Sequence, residues 1–256
     1  MTDVALLEAD EPEPVVVHNT DGRSPILLTC DHAGKRIPRR LGDLGLATAE
    51  LERHIAWDIG ALATSRLLSA MLDAPLVEQV YSRLVVDCNR PTRSPTFIAR
   101  LSENTAIPGN LDLSDEAIAA REREIYRPYH ARITQMLDAR KASARPTVLI
   151  AMHSFTPVYK GQARPWQIGL LYNRDARVAA ILHELLADTG LTVGDNEPYA
   201  ITDDSDYGIP VHGEQRGLPH IEIEIRQDLI AGEAGQREWA ERLAPMFREA
   251  ASRVLA

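Results

Sequence analysis

Short apolar runs bounded by turn residues alternate along this chain with helix-length amphipathic segments, which restricts it to an α/β fold on a mostly parallel sheet. Residues 25–30, 76–81, 84–87, 147–152, 166–172 and 221–225 read as strands. Residues 48–72 carry Leu51, Ile55, Ile59, Leu62, Leu67 and Leu68 at helical spacing, with Thr48 as N-cap and Asp73-Ala-Pro75 as the stop. Further helices are expected over 114–141, 176–188 and 232–255, the first opened by Ser114. Helices must then cover both faces of the sheet, and ligands of such sheets bind beyond the carboxyl ends of the strands. Residues 92–113 show no period, and a loop that long is often functional.

With 45% hydrophobic residues among 256, the chain can bury a sizeable core. It holds no apolar run of the roughly 18 residues that a membrane span needs. Its acidic start lacks the basic-then-apolar order of a secretory signal. Residues 1–20 are expected to form an N-terminal arm, loosely docked, and 21–256 a single domain. Two cysteines, Cys30 and Cys88, exclude a disulfide scaffold and make the cytoplasm the default location. A formal charge of −9 speaks against nucleic acid and anionic membranes and leaves a small molecule as the expected partner. Nothing in the sequence bears on oligomeric state. The basic residues are nearly all arginine, Lys35, Lys141 and Lys160 being the only lysines. Composition bias accounts for that, and so do a few arginines that grip an anionic ligand with a planar fork.

Two histidines arrive at the ligand edge from distant parts of the chain, His32 after the first strand and His153 at the end of the central one. Imidazole is a usual zinc ligand, and open zinc sites combine His with Asp or Glu. The last strand, His220-Ile-Glu222-Ile-Glu224-Ile-Arg226, alternates apolar and charged residues, so Glu222, Glu224 and Arg226 share one face. A central position would bury those charges, which demands a partner or a function; an edge position would leave them wet. Asn89-Arg90 leaves an apolar run at the same edge and offers a carboxylate clamp, with an ordinary exposed turn as the alternative. Glycine-rich nucleotide motifs are absent, and Ser154 lacks the flanking glycines of a nucleophile elbow. His54, His183 and His220 read as structural.

In sequence order, Cys30-Asp-His32-Ala-Gly34, Trp57-Asp58, Ser82-Arg83-Leu-Val-Val-Asp87-Cys-Asn89-Arg90-Pro91, Tyr126-Arg-Pro-Tyr-His130, Met152-His153-Ser154 and Ile223-Glu224-Ile-Arg-Gln227 resemble the N-formylglutamate amidohydrolases over nearly the whole chain. That family is similar to the zinc carboxypeptidase and aspartoacylase group. The resemblance implies a three-layer α/β/α fold of the phosphorylase/hydrolase-like, zinc exopeptidase type, with a mixed, mostly parallel sheet. It implies Zn2+ held by His32 and His153. Where the wider group has a ligand Glu three residues after the first His, this chain has Lys35, so Asp58 is the expected third ligand and Asp31 the alternative. Glu224 matches the catalytic Glu, and Arg83, Asn89 and Arg90 match the carboxylate-binding residues. His130 and Arg226 are further candidate substrate contacts, His130 with a packing role as its alternative. The implied activity is zinc-dependent cleavage of N-formyl-L-glutamate, or a close N-acyl amino acid, as in histidine degradation. The rivals are a hydrolase of another N-acyl amino acid, a carboxypeptidase-like enzyme, and a non-catalytic binder of an acidic metabolite.

Overall fold

Apolar runs buried on both sides become the inner strands of one seven-stranded sheet in the computed structural model, which describes residues 5–256. In chain order the elements are β1 (Val15–His18), β2 (Ile26–Cys30), α1 (Thr48–Leu51), α2 (Ala61–Leu72) and β3 (Leu76–Gln79). A hairpin of β4 (Leu101–Ser102) and β5 (Thr105–Ala106) precedes α3 (Asp115–Arg121) and α4 (Arg127–Ala142). Next come β6 (Val148–Phe155) and a hairpin of β7 (Val158–Tyr159) and β8 (Gln162–Ala163). The chain closes with β9 (Ile168–Leu171), α5 (Arg177–Leu186), β10 (Val193–Asp195), β11 (His220–Arg226) and α6 (Glu233–Leu255).

The strand order is β1-β3-β2-β6-β11-β9-β10. Strands β3, β2, β6 and β11 run parallel, while β1 and the β9/β10 pair run against them. Successive side chains alternate between faces. Ile26, Leu28, Ile150, Ile221 and Ile223 pack on one side with Leu68 of α2, Leu182 of α5 and Phe247 of α6. Leu27, Val77, Leu149 and Leu171 pack on the other with Tyr129, Ile133 and Leu137 of α4. The result is the three-layer α/β/α arrangement. No helix of the described residues is long and apolar enough to cross a membrane.

Local chemistry sets the element ends. Ser114 caps α3, its hydroxyl accepting the Ala117 N–H at 3.2 Å, and α3 continues into α4 through one π-helical segment, Glu122–Tyr126. Ser114→Ala removes that bond and is expected to lower the unfolding free energy by about 1 kcal/mol, read from a denaturant titration.

Three expectations are corrected. The helix expected over 48–72 is broken between Leu51 and Ala61. Gly60 has φ +80° there, and a Cβ on it would meet the Ile230 carbonyl oxygen at 2.1 Å, so the turn admits only glycine. The break carries Asp58, whose N–H donates to the His32 carbonyl at 2.9 Å. Residues 84–87 are a turn followed by irregular backbone and not a strand. Their carbonyls are met by side chains in place of a ladder: Asn110 donates to Leu84 O at 2.8 Å and buried Arg121 to Val85 O at 2.9 Å. Val15–His18, inside the expected arm, is an edge strand paired with β3; residues 1–4 of that arm lie outside the described residues.

Candidate metal and substrate site

Strand β11 lies between β6 and β9, which settles the edge-or-centre alternative and buries Glu222 and Glu224. Its pairing with β6 sets Glu224 opposite His153 and Glu222 opposite Ala151. Alternation sends both glutamates and His153 to the α4 side of the sheet. Residues Asp31 and His32 follow the end of β2, one strand further along. All reach the carboxyl ends of the parallel strands, and His32, His153, Glu222 and Glu224 open onto a cavity of about 370 Å³.

Asp58 Oδ2 is the centre of the arrangement. It lies 2.9 Å from His153 Nδ1 and 3.5 Å from His32 Nδ1, and it accepts the Ser154 N–H at 3.2 Å. A tetrahedral zinc with its usual bond lengths sets its donors roughly 3.3 Å apart; Asp58 Oδ2 stands near that distance from each histidine nitrogen, and one donor atom from each of the three residues lies within 4.8 Å of the others. Buried His32 Nδ1 has no hydrogen-bond partner among the described residues, the condition of a nitrogen free to take a metal. Each ring's other nitrogen faces a different carboxylate: His32 Nε2 is hydrogen-bonded to Asp87 Oδ1 at 2.7 Å, whereas His153 Nε2 lies 3.4 Å from Asp31 Oδ2 without a hydrogen bond among the described residues. Such outer carboxylates fix the tautomer and orientation of metal-binding histidines. Tyr129 donates to the other Asp31 oxygen. Asp31 thus stands behind His153, and Asp58 in front of both rings.

Charge balance holds this cluster. Burial works against charging His32 and His153. The carboxylates Asp87 and Asp58 outweigh it at His32, as do Glu222, Asp31 and Asp58 at His153, so both are raised, His153 strongly. Burial likewise works against ionising Asp58 and Asp87, yet their cationic neighbours hold both below the ordinary carboxylate range. Burial wins at the glutamates: Glu222 is pushed up to about 7 and Glu224 well above its usual value. Asn89 donates to Glu222 Oε2 at 3.3 Å, whereas Glu224 Oε2 has no partner among the described residues.

His32, Asp58, His153, Glu224, Arg83, Asn89 and Arg90 all line the cavity. Arg83 bridges Asp87 at 2.7 Å and Asp58 at 3.5 Å. Asn89 and Arg90 also tie down the start of the π-helical turn at 208–213 and the loop before it: Asn89 Oδ1 accepts the Gly208 N–H at 2.9 Å, and Arg90 donates to Ser205 O. Two expected contacts are not brought to the cavity. His130 is packed among Tyr126, Tyr207 and His212, its Nδ1 3.0 Å from His212 Nε2. Arg226 ends β11 where the chain turns, and Asp228 takes its guanidinium at 2.8 Å. His54, read as structural, is on the cavity wall 3.6 Å from Glu103. Asp87, Glu103, Tyr159, Tyr199 and Asp206 also line it. Loops deliver four of these and the short β7/β8 hairpin delivers Tyr159, so no periodicity marks them; Asp87 alone sits inside a family-like block.

Residues 24–231 match the family model described as N-formylglutamate amidohydrolase. The solved structure of a gene product from Agrobacterium tumefaciens is 40% identical, with a TM-score of 0.95 over 98% of this chain and 100% of that one. The N-formylglutamate amidohydrolase of Ralstonia eutropha is 17% identical, with a TM-score of 0.69 over 95% of this chain and 98% of that one, a likeness of fold. No curated protein matches the sequence.

Proposed function

The chain belongs to the N-formylglutamate amidohydrolase family, and from that premise we propose that it is a zinc-dependent hydrolase that cleaves N-formyl-L-glutamate, or a close N-acyl amino acid, to formate, or the matching acid, and the free amino acid. One observation carries the zinc-hydrolase reading: His32 Nδ1 and His153 Nδ1 flank Asp58 Oδ2 at metal-ligand spacing, beside a buried glutamate facing the same cavity.

His32, Asp58 and His153 are the residues that would hold zinc. When bound, zinc supplies Lewis-acid polarisation of the amide carbonyl and of the attacking water. Glu224 takes a proton from that water as oxygen adds to the carbonyl carbon, then passes it to the nitrogen as the C–N bond breaks. Its unpartnered Oε2 and its raised proton affinity, caused first by burial, suit a group that accepts and returns a proton. Glu222, held by Asn89, is the less free of the two. Asp87 and Asp31 orient the two imidazoles from behind. Arg83 and Arg90 give the cavity a cationic wall for a carboxylate of the substrate.

Purified protein is expected to carry one zinc and to release formate from N-formyl-L-glutamate, with chelator abolishing release and added zinc restoring it. Zinc without formate release moves the substrate to another N-acyl amino acid. Neither metal nor activity, even after zinc is added, overturns the proposal.

A further inference from the structure

Arg164 stands half-buried beside the cavity, in the loop between β8 and β9. Its guanidinium carbon is 4.6 Å from the ring centre of Tyr159 and 4.7 Å from that of Tyr199. Its Nη1 donates to the Tyr199 hydroxyl at 2.8 Å. Both rings line the cavity. Stacking between them fixes the guanidinium plane, and the tyrosine bond uses only one of its five N–H donors. Among the described residues no carboxylate pairs with it. A half-buried cation, itself outside the cavity lining, is thus held against two of the lining residues with donors to spare.

The arginines deeper in the wall are in a different state. Arg83 is shared between Asp87 and Asp58, and Arg90 faces Asp206 at 3.4 Å. Those three carboxylates exceed the two guanidinium groups by one negative charge. Each of these guanidinium groups already shares its donors with carboxylates of the chain, whereas Arg164 has none beside it among the described residues. The charge of Arg164 extends to the facing wall: His54 is lowered first by burial, then, against Glu103, by Arg53, Arg83 and Arg164.

We propose that Arg164, clamped by Tyr159 and Tyr199, receives the second carboxylate of a dicarboxylic N-acyl amino acid and so determines specificity for it. The inference rests on the proposed hydrolysis of an N-acyl amino acid and names the part of the substrate read at the mouth. A planar guanidinium offers a carboxylate two parallel bonds, which an ammonium does not.

N-formyl-L-glutamate and N-formyl-L-glutamine have nearly the same shape and differ by the side-chain charge. In Arg164→Gln the kcat/KM preference for the glutamate compound is expected to fall about tenfold to a hundredfold, the change lying in KM. Arg164→Lys recovers part of the preference, and Tyr199→Phe, which frees the guanidinium from its hydroxyl, loses a smaller part. These two variants carry the test if Arg164→Gln does not fold. A purely structural role lowers both substrates alike, and an unmoved ratio overturns the proposal.

Calorimetric titration of the zinc-loaded chain with glutarate reads the same contact without turnover, with the affinity expected to fall by the same factor in Arg164→Gln. Arg164-dependent glutarate binding without formate release would sink the N-formylglutamate reading and leave this inference standing. Formate release indifferent to Arg164 would do the reverse. Wild-type protein that neither binds glutarate nor turns over N-formylglutamate overturns both.

Discussion

Replacing Glu224 by glutamine is expected to lower turnover about a hundredfold to ten-thousandfold while zinc stays bound. The size of the loss follows from the proposed role, since a positioned base acts only as the proton moves and contributes little to holding the ground state. Retention of zinc is the outcome expected when His32, Asp58 and His153 hold it, with Glu224 beside them on the neighbouring strand; a metal held by the other donor group, His153 with Glu222 and Glu224, would be lost. Glutamine has nearly the shape of glutamate and no charge, so the substitution neither empties the buried position nor strands a charge in it. Steady-state formate release and metal analysis of the same preparation check it. Glu222→Gln is the control, because that carboxylate is already held by Asn89. A larger loss in Glu222→Gln than in Glu224→Gln would transfer the base to Glu222. Loss of zinc in Glu224→Gln would recast Glu224 as a metal ligand.

The parts of this site that were legible in the sequence are those that burial writes into a strand. A parallel strand covered on both faces must be apolar throughout, so His153 within β6 and the two glutamates within β11 stand out against their neighbours. Asp58 was legible only through the family resemblance. Its flanking residues keep helical spacing, and Ile55 is buried as that spacing requires, yet the backbone there is not helical. Periodicity reports which side chains are buried and not the path between them. Gly60 was the signal of the break, because its left-handed φ and the Ile230 carbonyl against it exclude any side chain.

Residues 84–87 misled for the opposite reason. They are as apolar as a strand because they are buried, but Asn110 and Arg121 satisfy their carbonyls from outside the sheet. Arg226 shares the face of Glu224 by parity, but the turn that follows supplies Asp228 as its partner. Arg164, Tyr159 and Tyr199 come together from separate loops and a short hairpin, an encounter that no spacing within one segment encodes.

Asp58→Asn is expected to weaken zinc binding by more than the roughly tenfold to hundredfold typical of an outer carboxylate, and Asp87→Asn to stay within that range. The ranking follows from position: Asp58 faces the Nδ1 atoms of both rings, and Asp87 touches only the far nitrogen of His32. In the metal-free protein the same carboxylates keep His32 and His153 raised, so zinc must displace protons to bind. Zinc affinity therefore rises with pH through and above the ordinary histidine range near ~6.5. Fold stability of the metal-free protein moves the other way. The raised histidines stabilise it below their unfolded values, and that contribution is lost as pH climbs through their folded values. Asp58 and Asp87, being depressed, contribute above about pH 4 and lose that contribution only in acid. The Tm difference between zinc-loaded and chelated protein should thus widen from about pH 6 to pH 8, and calorimetry in buffers of different ionisation enthalpy should show protons released as zinc binds. A difference that narrows over that range, or binding without proton release, would mean that zinc does not occupy the position between these two histidines.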